Sequence, residues 1–223
     1  KEFGETHFDN IYYIHIPKTG GTTLSKVLRD KYKTAIQQYH NHEDSYPVRL
    51  LAHYRTDNDN VLYIPNKKYI ITIRNPISRF ISAFHHMMKI KSKIKKKLNS
   101  MNIFNINELC LFIEKSPEQF NNYIEECGGH MKYGIYKYLT DFLNKCPTKD
   151  IIVIITEQFN SDCFNKLKLT MDGNHKNRGN YEHEEISENN KMILKNYLQN
   201  DYDIIDTMLS KNIISNEEYN ILV

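Results

Sequence analysis

Ile11-Tyr-Tyr-Ile-His-Ile-Pro-Lys-Thr-Gly-Gly-Thr-Thr-Leu24 is the stretch on which the fold turns. An apolar, β-like run stops at Pro17, passes through Lys18, Thr19, Gly20 and Gly21, and enters Thr22 and Thr23 at the start of an amphipathic segment. A strand, a glycine turn and a helix start in that order build an anion cradle. The glycines let backbone N–H groups turn inward, the helix N-terminus adds partial positive charge, and Lys18 adds a full one. The expected guest is a phosphate or a chemical relative. The spacing is not that of a Walker A loop, GxxxxGK[ST], because Lys18 precedes both glycines and no lysine followed by Ser/Thr comes directly after them to hold magnesium. Taken alone, the turn reads equally well as an ordinary βα loop.

A second segment has the same organisation. Tyr69 to Ile73 reads as a buried strand, after which Asn75 is placed to cap a helix with Pro76 at its first position. Phe80, Ile81, Phe84 and Met88 recur at helical spacing and are expected to face the core. Arg74 then stands just outside the strand's carboxyl end, with Arg79 about one turn into the helix and Ser82 about one turn further. Ligands of open α/β sheets gather at those strand ends, so both segments are expected to converge on one crevice.

IHIPKTGGTTL followed by ITIRNPISRFISAF resembles the two nucleotide-binding signatures of sulfotransferases that use 3′-phosphoadenosine 5′-phosphosulfate (PAPS), in particular the carbohydrate type that includes heparan sulfate 2-O-sulfotransferase. The resemblance implies that Lys18, Thr19, Gly20, Gly21, Thr22 and Thr23 hold the phosphosulfate, and that Arg74 and Ser82 hold the 3′-phosphate. Arg79 belongs to the second signature either as a ligand contact or as half of a buried ion pair. Ile151 to Asp162, IIVIITEQFNSD, resembles the family's late strand with a glutamate and an aspartate near the next helix. His175-Lys176-Asn177-Arg178-Gly179 resembles a basic loop that closes over the nucleotide, which implies contacts from Arg178 and Gly179. The resemblance further implies PAPS as sulfonate donor, adenosine 3′,5′-bisphosphate (PAP) as product, and no obligatory metal.

The remaining chain alternates between β and α patterns. Helices are expected from about Thr22 to Lys33, with Leu24, Val27, Leu28 and Tyr32 as apolar stripe, over Ile106–Lys115 and Ser116–Cys127, around Ile135 to Leu143, and from a Ser187 cap through Leu198. Ile151 to Ile155 suits a central parallel strand. The polar stretches Tyr39–Asn60 and Asp172–Glu185 read as loops. The alternation predicts a three-layer α/β domain, P-loop-like, with a mostly parallel central sheet flanked by helices. Its 223 residues, 40% of them hydrophobic, suffice for one sizeable core, so one domain is expected over residues 1–223.

A formal net charge of +3 excludes a polycation. Lys89, Lys91, Lys93, Lys95, Lys96 and Lys97 nevertheless crowd one short segment, read as a solvated helix end or loop, or as a contact for an acidic partner. No aromatic interleaving accompanies them, and no nucleic acid is expected. The four cysteines form neither a CxxC pair nor a zinc spacing. No apolar run is long enough to span a bilayer and no signal-peptide core opens the chain. An upstream anchor stays open, and with it a cytoplasmic or lumenal location.

The acceptor is expected to be a hydroxyl-bearing carbohydrate, and an anionic one if the lysine run takes part. Transfer to a hydroxyl needs a base and a cation beside the leaving phosphate. Lys18 suits the second role. His53, in Leu50-Leu51-Ala52-His53, is the candidate base because the carbohydrate enzymes carry a catalytic histidine between the two signatures. His15, His40, His42, His130, Glu43 and Asp44 stay as alternatives. His130, Lys132 and Tyr133, in GGHMKYGIYKYL, are the candidate acceptor contacts. Two other function classes remain, a small-molecule kinase and a non-catalytic nucleotide- or glycan-binding module.

Overall fold

A computed structural model describes residues 11–32, 48–52, 63, 65–90, 92–169 and 185–223. In chain order these form β1 (Ile11–Ile14), α1 (Gly21–Tyr32), β2 (Val48–Ala52), β3 (Lys68–Ile73), α2 (Pro76–Lys89), α3 (Lys93–Asn99), α4 (Ile106–Lys115), α5 (Pro117–Cys127), α6 (Ile135–Lys145), β4 (Ile151–Ile155), α7 (Phe159–Leu167), α8 (Glu188–Tyr197), α9 (Gln199–Ser210) and α10 (Asn216–Leu222). A short 3₁₀ turn, Gly129–Met131, stands between α5 and α6.

The four strands make one sheet in the order β2-β1-β3-β4, every pairing parallel. Strand alternation sorts their side chains between two layers. Tyr12, Ile14, Tyr69, Ile71, Ile73, Ile151, Val153 and Ile155 pack with the inner residues of α2, α4, α5, α6, α8 and α9. Tyr13, Ile70, Ile152 and Ile154 face the opposite side, against Leu24 and Leu28 of α1 and Phe159, Cys163 and Leu167 of α7. Both faces are therefore covered, which is why β4 is a continuous run of buried Ile and Val.

The chain steps from β1 outward to β2 and then returns to place β3 on β1's other side. That reversal makes the carboxyl ends of β1 and β3 the topological switch point, where a crevice opens between diverging connections. The Lys18 loop leaves β1 there, and Arg74 leaves β3 there.

Local expectations hold where the chemistry is local. Asn75 Oδ1 accepts from Ser78 N at 3.0 Å, with Pro76 opening α2 behind it. Ser187 Oγ accepts from Asn190 N at 3.2 Å and starts α8. Three departures are informative. The polar stretch expected as loop contains β2, whose five residues are too few to show a period among polar neighbours. In α2 the buried stripe is Phe80, Ala83, Phe84 and Met87, while Ile81 and Met88 are only half-buried. β1 stops at Ile14, two residues early, with His15 and Ile16 irregular before the turn at Pro17 and Lys18. Of the lysine run, Lys89 ends α2, Lys91 lies outside the described residues, and Lys93 to Lys97 fall in α3, which buries Ile94 and Leu98 and leaves Lys93, Lys96 and Lys97 exposed, a solvated helix face.

Candidate active site

The loop after β1 is held in a conformation that L-residues rarely adopt. Lys18 has φ 70° and Gly20 φ 78°, two left-handed residues within three. Glycine takes that geometry freely, whereas for Lys18 it costs about 1–2 kcal/mol. Gly21 is required for a different reason, since a Cβ there would lie 1.8 Å from His15 Cδ2 and 2.5 Å from the Tyr13 hydroxyl. His15 itself is buried and stacks on Tyr13, ring centroids 5.8 Å apart, which makes it part of the packing beneath the helix start.

Hydroxyl groups clamp this strained loop. Thr19 Oγ1 donates to the Ile16 carbonyl at 2.7 Å and lies 2.7 Å from Thr72 Oγ1, which in turn lies 3.0 Å from the Tyr13 hydroxyl. Each hydroxyl has one proton, so the chain runs from Tyr13 to Thr72 to Thr19 to Ile16. Thr19 is fully buried by this arrangement, and its hydroxyl faces the protein. Thr156, just past β4, sits 2.9 Å from the Thr19 carbonyl oxygen and 2.8 Å from that of Ile73. One side chain thus ties the carboxyl ends of three segments together. Thr23 N and Leu24 N both donate to the Gly20 carbonyl, at 3.0 and 3.2 Å, so the helical ladder starts there and the earlier amides precede it.

Arg74 and Lys18 share the crevice. Burial, then the charge of Arg74, holds the Lys18 ammonium below its ordinary range. Two cations drawn together in this way leave a region of positive potential over a helix N-terminus, a donor set suited to an anion. Arg74 Nε also lies 3.7 Å from Glu157 Oε1, and Glu157 accepts from Asn75 N at 3.1 Å. Burial pushes the Glu157 carboxyl up, against the opposing effects of those hydrogen bonds and of Arg74. The glutamate of the late strand therefore orients the arginine of the second anion segment. Ser82 is buried two turns along α2.

Arg79 is the other half of a buried ion pair. Its Nη2 lies 3.9 Å from Asp201 Oδ2, with the two side chains 0% and 1% exposed. Nη1 donates to the His130 carbonyl at 3.4 Å, while Asp201 Oδ1 accepts from Tyr136 N at 3.0 Å. These bonds pin α2 to α9 and to the Gly129–Met131 turn. Removing the carboxylate leaves a guanidinium buried without its counter-charge, so Asp201→Ala is expected to cost about 3–5 kcal/mol. Thermal melting should show it as a fall of roughly 10 °C or more in Tm.

The Gly129–Met131 turn packs on α2 and sets the His130 ring 4.9 Å from that of His86. Lys132 pairs with Glu125 at 3.3 Å and lies over the Tyr133 ring at 5.2 Å, and Tyr133 meets Tyr138 edge-on. Burial first, then the charges of Lys18 and Lys89, lowers the His86 imidazole below its usual range. The His130 ring therefore meets a histidine that feels the Lys18 charge, while Lys132 and Tyr133 pack with Glu125 and Tyr138.

The model of the sulfotransferase family matches residues 2–199. The chain belongs to that family. No curated protein and no solved structure gave a significant match. Both anion segments of this sulfotransferase lie within the matched region, and the match removes the kinase alternative for its βα cradle. The matched region stops before Asp201 and Leu222. Yet Asp201 anchors Arg79, and the Leu222 carbonyl accepts from Asn75 Nδ2 at 2.9 Å. The sulfotransferase's last two helices thus brace α2 through residues beyond the matched region.

The site residues expected from the sequence divide into two groups. Lys18, Thr19, Gly20, Gly21, Thr22, Thr23, Arg74 and Ser82 are carried by the two segments at the switch point. His53, Arg178 and Gly179 lie outside the described residues, as do His40, His42, Glu43 and Asp44. β2 ends at Ala52 on the same carboxyl edge as the Lys18 loop, and His53 is the next residue in the chain. His86, Thr156 and Asp201 were not singled out by sequence. For His86 the available signal was its spacing, four residues after Ser82 and seven after Arg79. Among the described residues, no group of three His, Cys, Asp or Glu side chains is arranged to hold a metal ion, and no helix is long and apolar enough to cross a membrane.

Proposed function

We propose that this sulfotransferase moves a sulfonate from PAPS to a hydroxyl of a carbohydrate acceptor and releases PAP. The observation that carries this reading is the pair of cations, Lys18 and Arg74, drawn together at the switch point beside the start of α1. PAPS, when bound, supplies an activated sulfonate whose bond to the 5′-phosphate oxygen is the one that breaks.

The roles of the chain's own residues follow from position and charge. Lys18 and the backbone amides from Thr19 to Thr23 bind the phosphosulfate, and Lys18 meets the charge left on the phosphate oxygen. Arg74 and Ser82 recognise the 3′-phosphate, and Arg178 and Gly179 cover the nucleotide. His53 takes the acceptor hydroxyl's proton as its oxygen bonds to sulfur. His130, Lys132 and Tyr133 bind the acceptor. The transferred sulfonate carries less charge than a phosphoryl group, so a cation at Lys18 and a helix N-terminus meet the electrostatic demand without an obligatory metal. The carbohydrate class rests on the resemblance of the two signatures to carbohydrate sulfotransferases, and the exposed lysines of α3 favour an anionic one.

Incubation with radiolabelled PAPS and a panel of desulfated heparan, chondroitin, neutral oligosaccharides and a tyrosine peptide tests the reading. Label is expected on a glycan, with one PAP released per sulfonate transferred. Label on the peptide alone would move the acceptor class, and no transfer to any acceptor would contradict the reading.

A further inference from the structure

His86 stands outside both signatures, on the helix that the second one opens and against the His130 ring. Arg79, Ser82 and His86 follow one another at i, i+3 and i+7, so they share one face of α2. Arg79 at one end of that face is buried against Asp201, Ser82 is buried, and His86 is half-buried. The Gly129–Met131 turn is fastened to the same face at two points, through the Arg79 bond to the His130 carbonyl and through the ring contact between His86 and His130.

We propose that His86 contacts the acceptor, its ring and that of His130 forming one wall of the acceptor site beside the Lys18 loop. The proposal rests on the sulfonate-transfer reading and adds to it a residue and a ligand chemistry. Of the residues assigned to the 3′-phosphate, Arg74 stands just before α2 and Ser82 in its second turn, and His86 lies about one turn beyond Ser82, against the His130 ring. The charge state of the ring decides what it can bind. Burial, then the charges of Lys18 and Lys89, disfavours its protonated form. A neutral imidazole presents one N–H donor and one bare acceptor nitrogen, the combination a hydroxyl requires, whereas an imidazolium only donates and suits an anion. The ligand proposed for this ring pair is a hydroxyl of the acceptor.

His86→Phe keeps a ring of similar size and removes both polar nitrogens, while His86→Gln keeps one donor and one acceptor. The assay uses radiolabelled PAPS and whichever panel glycan the wild type labels fastest. His86→Phe is expected to raise the acceptor KM about tenfold, the loss of roughly one hydrogen bond, with the Kd for PAP within about twofold of wild type. His86→Gln should recover part of that loss. Should His86→Phe lose its cooperative melt, His86→Ala replaces it under the same criteria. Wild-type acceptor KM and kcat in His86→Phe would overturn the proposal, as would PAP affinity falling in step with transfer. Wild-type protein that labels no acceptor refutes the sulfonate-transfer reading and this proposal with it. Transfer by the wild type beside an unaffected His86→Phe removes this proposal alone.

Discussion

Lys18→Ala is expected to reduce sulfonate transfer from PAPS by roughly 10²- to 10³-fold, with PAP affinity weakened by no more than about tenfold. The asymmetry follows from where the charge acts. On the proposed reading, the ammonium is in the ground state one of several groups around the phosphates, alongside Arg74 and the start of α1. As the bond to sulfur breaks, negative charge builds on the departing phosphate oxygen, and an ion fixed beside it stabilises that state preferentially. The left-handed backbone at Lys18 supports the assignment, because strain of that kind persists where the surrounding structure enforces it and clusters at active sites. It also provides a control. Lys18→Gly removes the charge and the strain together, so it should match Lys18→Ala in lost activity while melting no lower than that variant. Near-normal kcat in Lys18→Ala would make the residue part of the cradle only.

His53→Ala is expected to lower kcat by roughly 10²- to 10⁴-fold, the range for loss of a general base. PAP affinity should be nearly unchanged, since proton abstraction involves the acceptor and not the nucleotide. β2 pairs with the strand that carries the Lys18 loop and ends at Ala52, and His53 is the next residue in the chain. An imidazole of ordinary basicity can accept a proton near neutral pH. His130→Ala is the comparison, because a residue that binds the acceptor raises its KM more than it lowers kcat. A silent His53→Ala beside an inactive His40→Ala or Glu43→Ala would move the base elsewhere and leave the nucleotide half of the account standing.

What the sequence revealed of this fold followed the range of the interactions involved. The Asn75 cap and Pro76 start of α2 are set within four residues, and the β-branched run Ile151–Ile155 declares a strand covered on both faces. The glycine turn after β1 is similarly local. Arg79 was legible only as one of two alternatives, since its partner Asp201 is supplied by α9, far along the chain. His86 was missed for the same reason. Its significance depends on the His130 turn folding back onto α2 and on Lys18 approaching from another strand. Thr19 shows the converse limit. Its place in the signature suggests a ligand contact, but Thr72 and the Ile16 carbonyl engage its hydroxyl, leaving the backbone as its means of holding a guest. Met87 is buried while Met88 packs half-buried against the same core, because the buried stripe follows a helical phase that adjacent methionines do not reveal.

Nucleotide selectivity bears most directly on the central assignment, that Arg74 and Ser82 recognise a 3′-phosphate beside the Lys18 cradle. Isothermal titration of wild type and Arg74→Ala with PAP and with 5′-AMP isolates that phosphate, because the two ligands differ by it alone. Wild type is expected to bind PAP about a hundredfold more tightly, as charge-assisted hydrogen bonds of roughly 1.5–3 kcal/mol would give, and Arg74→Ala to reduce that ratio to within a few-fold. Equal affinities of the wild-type protein for PAP and AMP would contradict it.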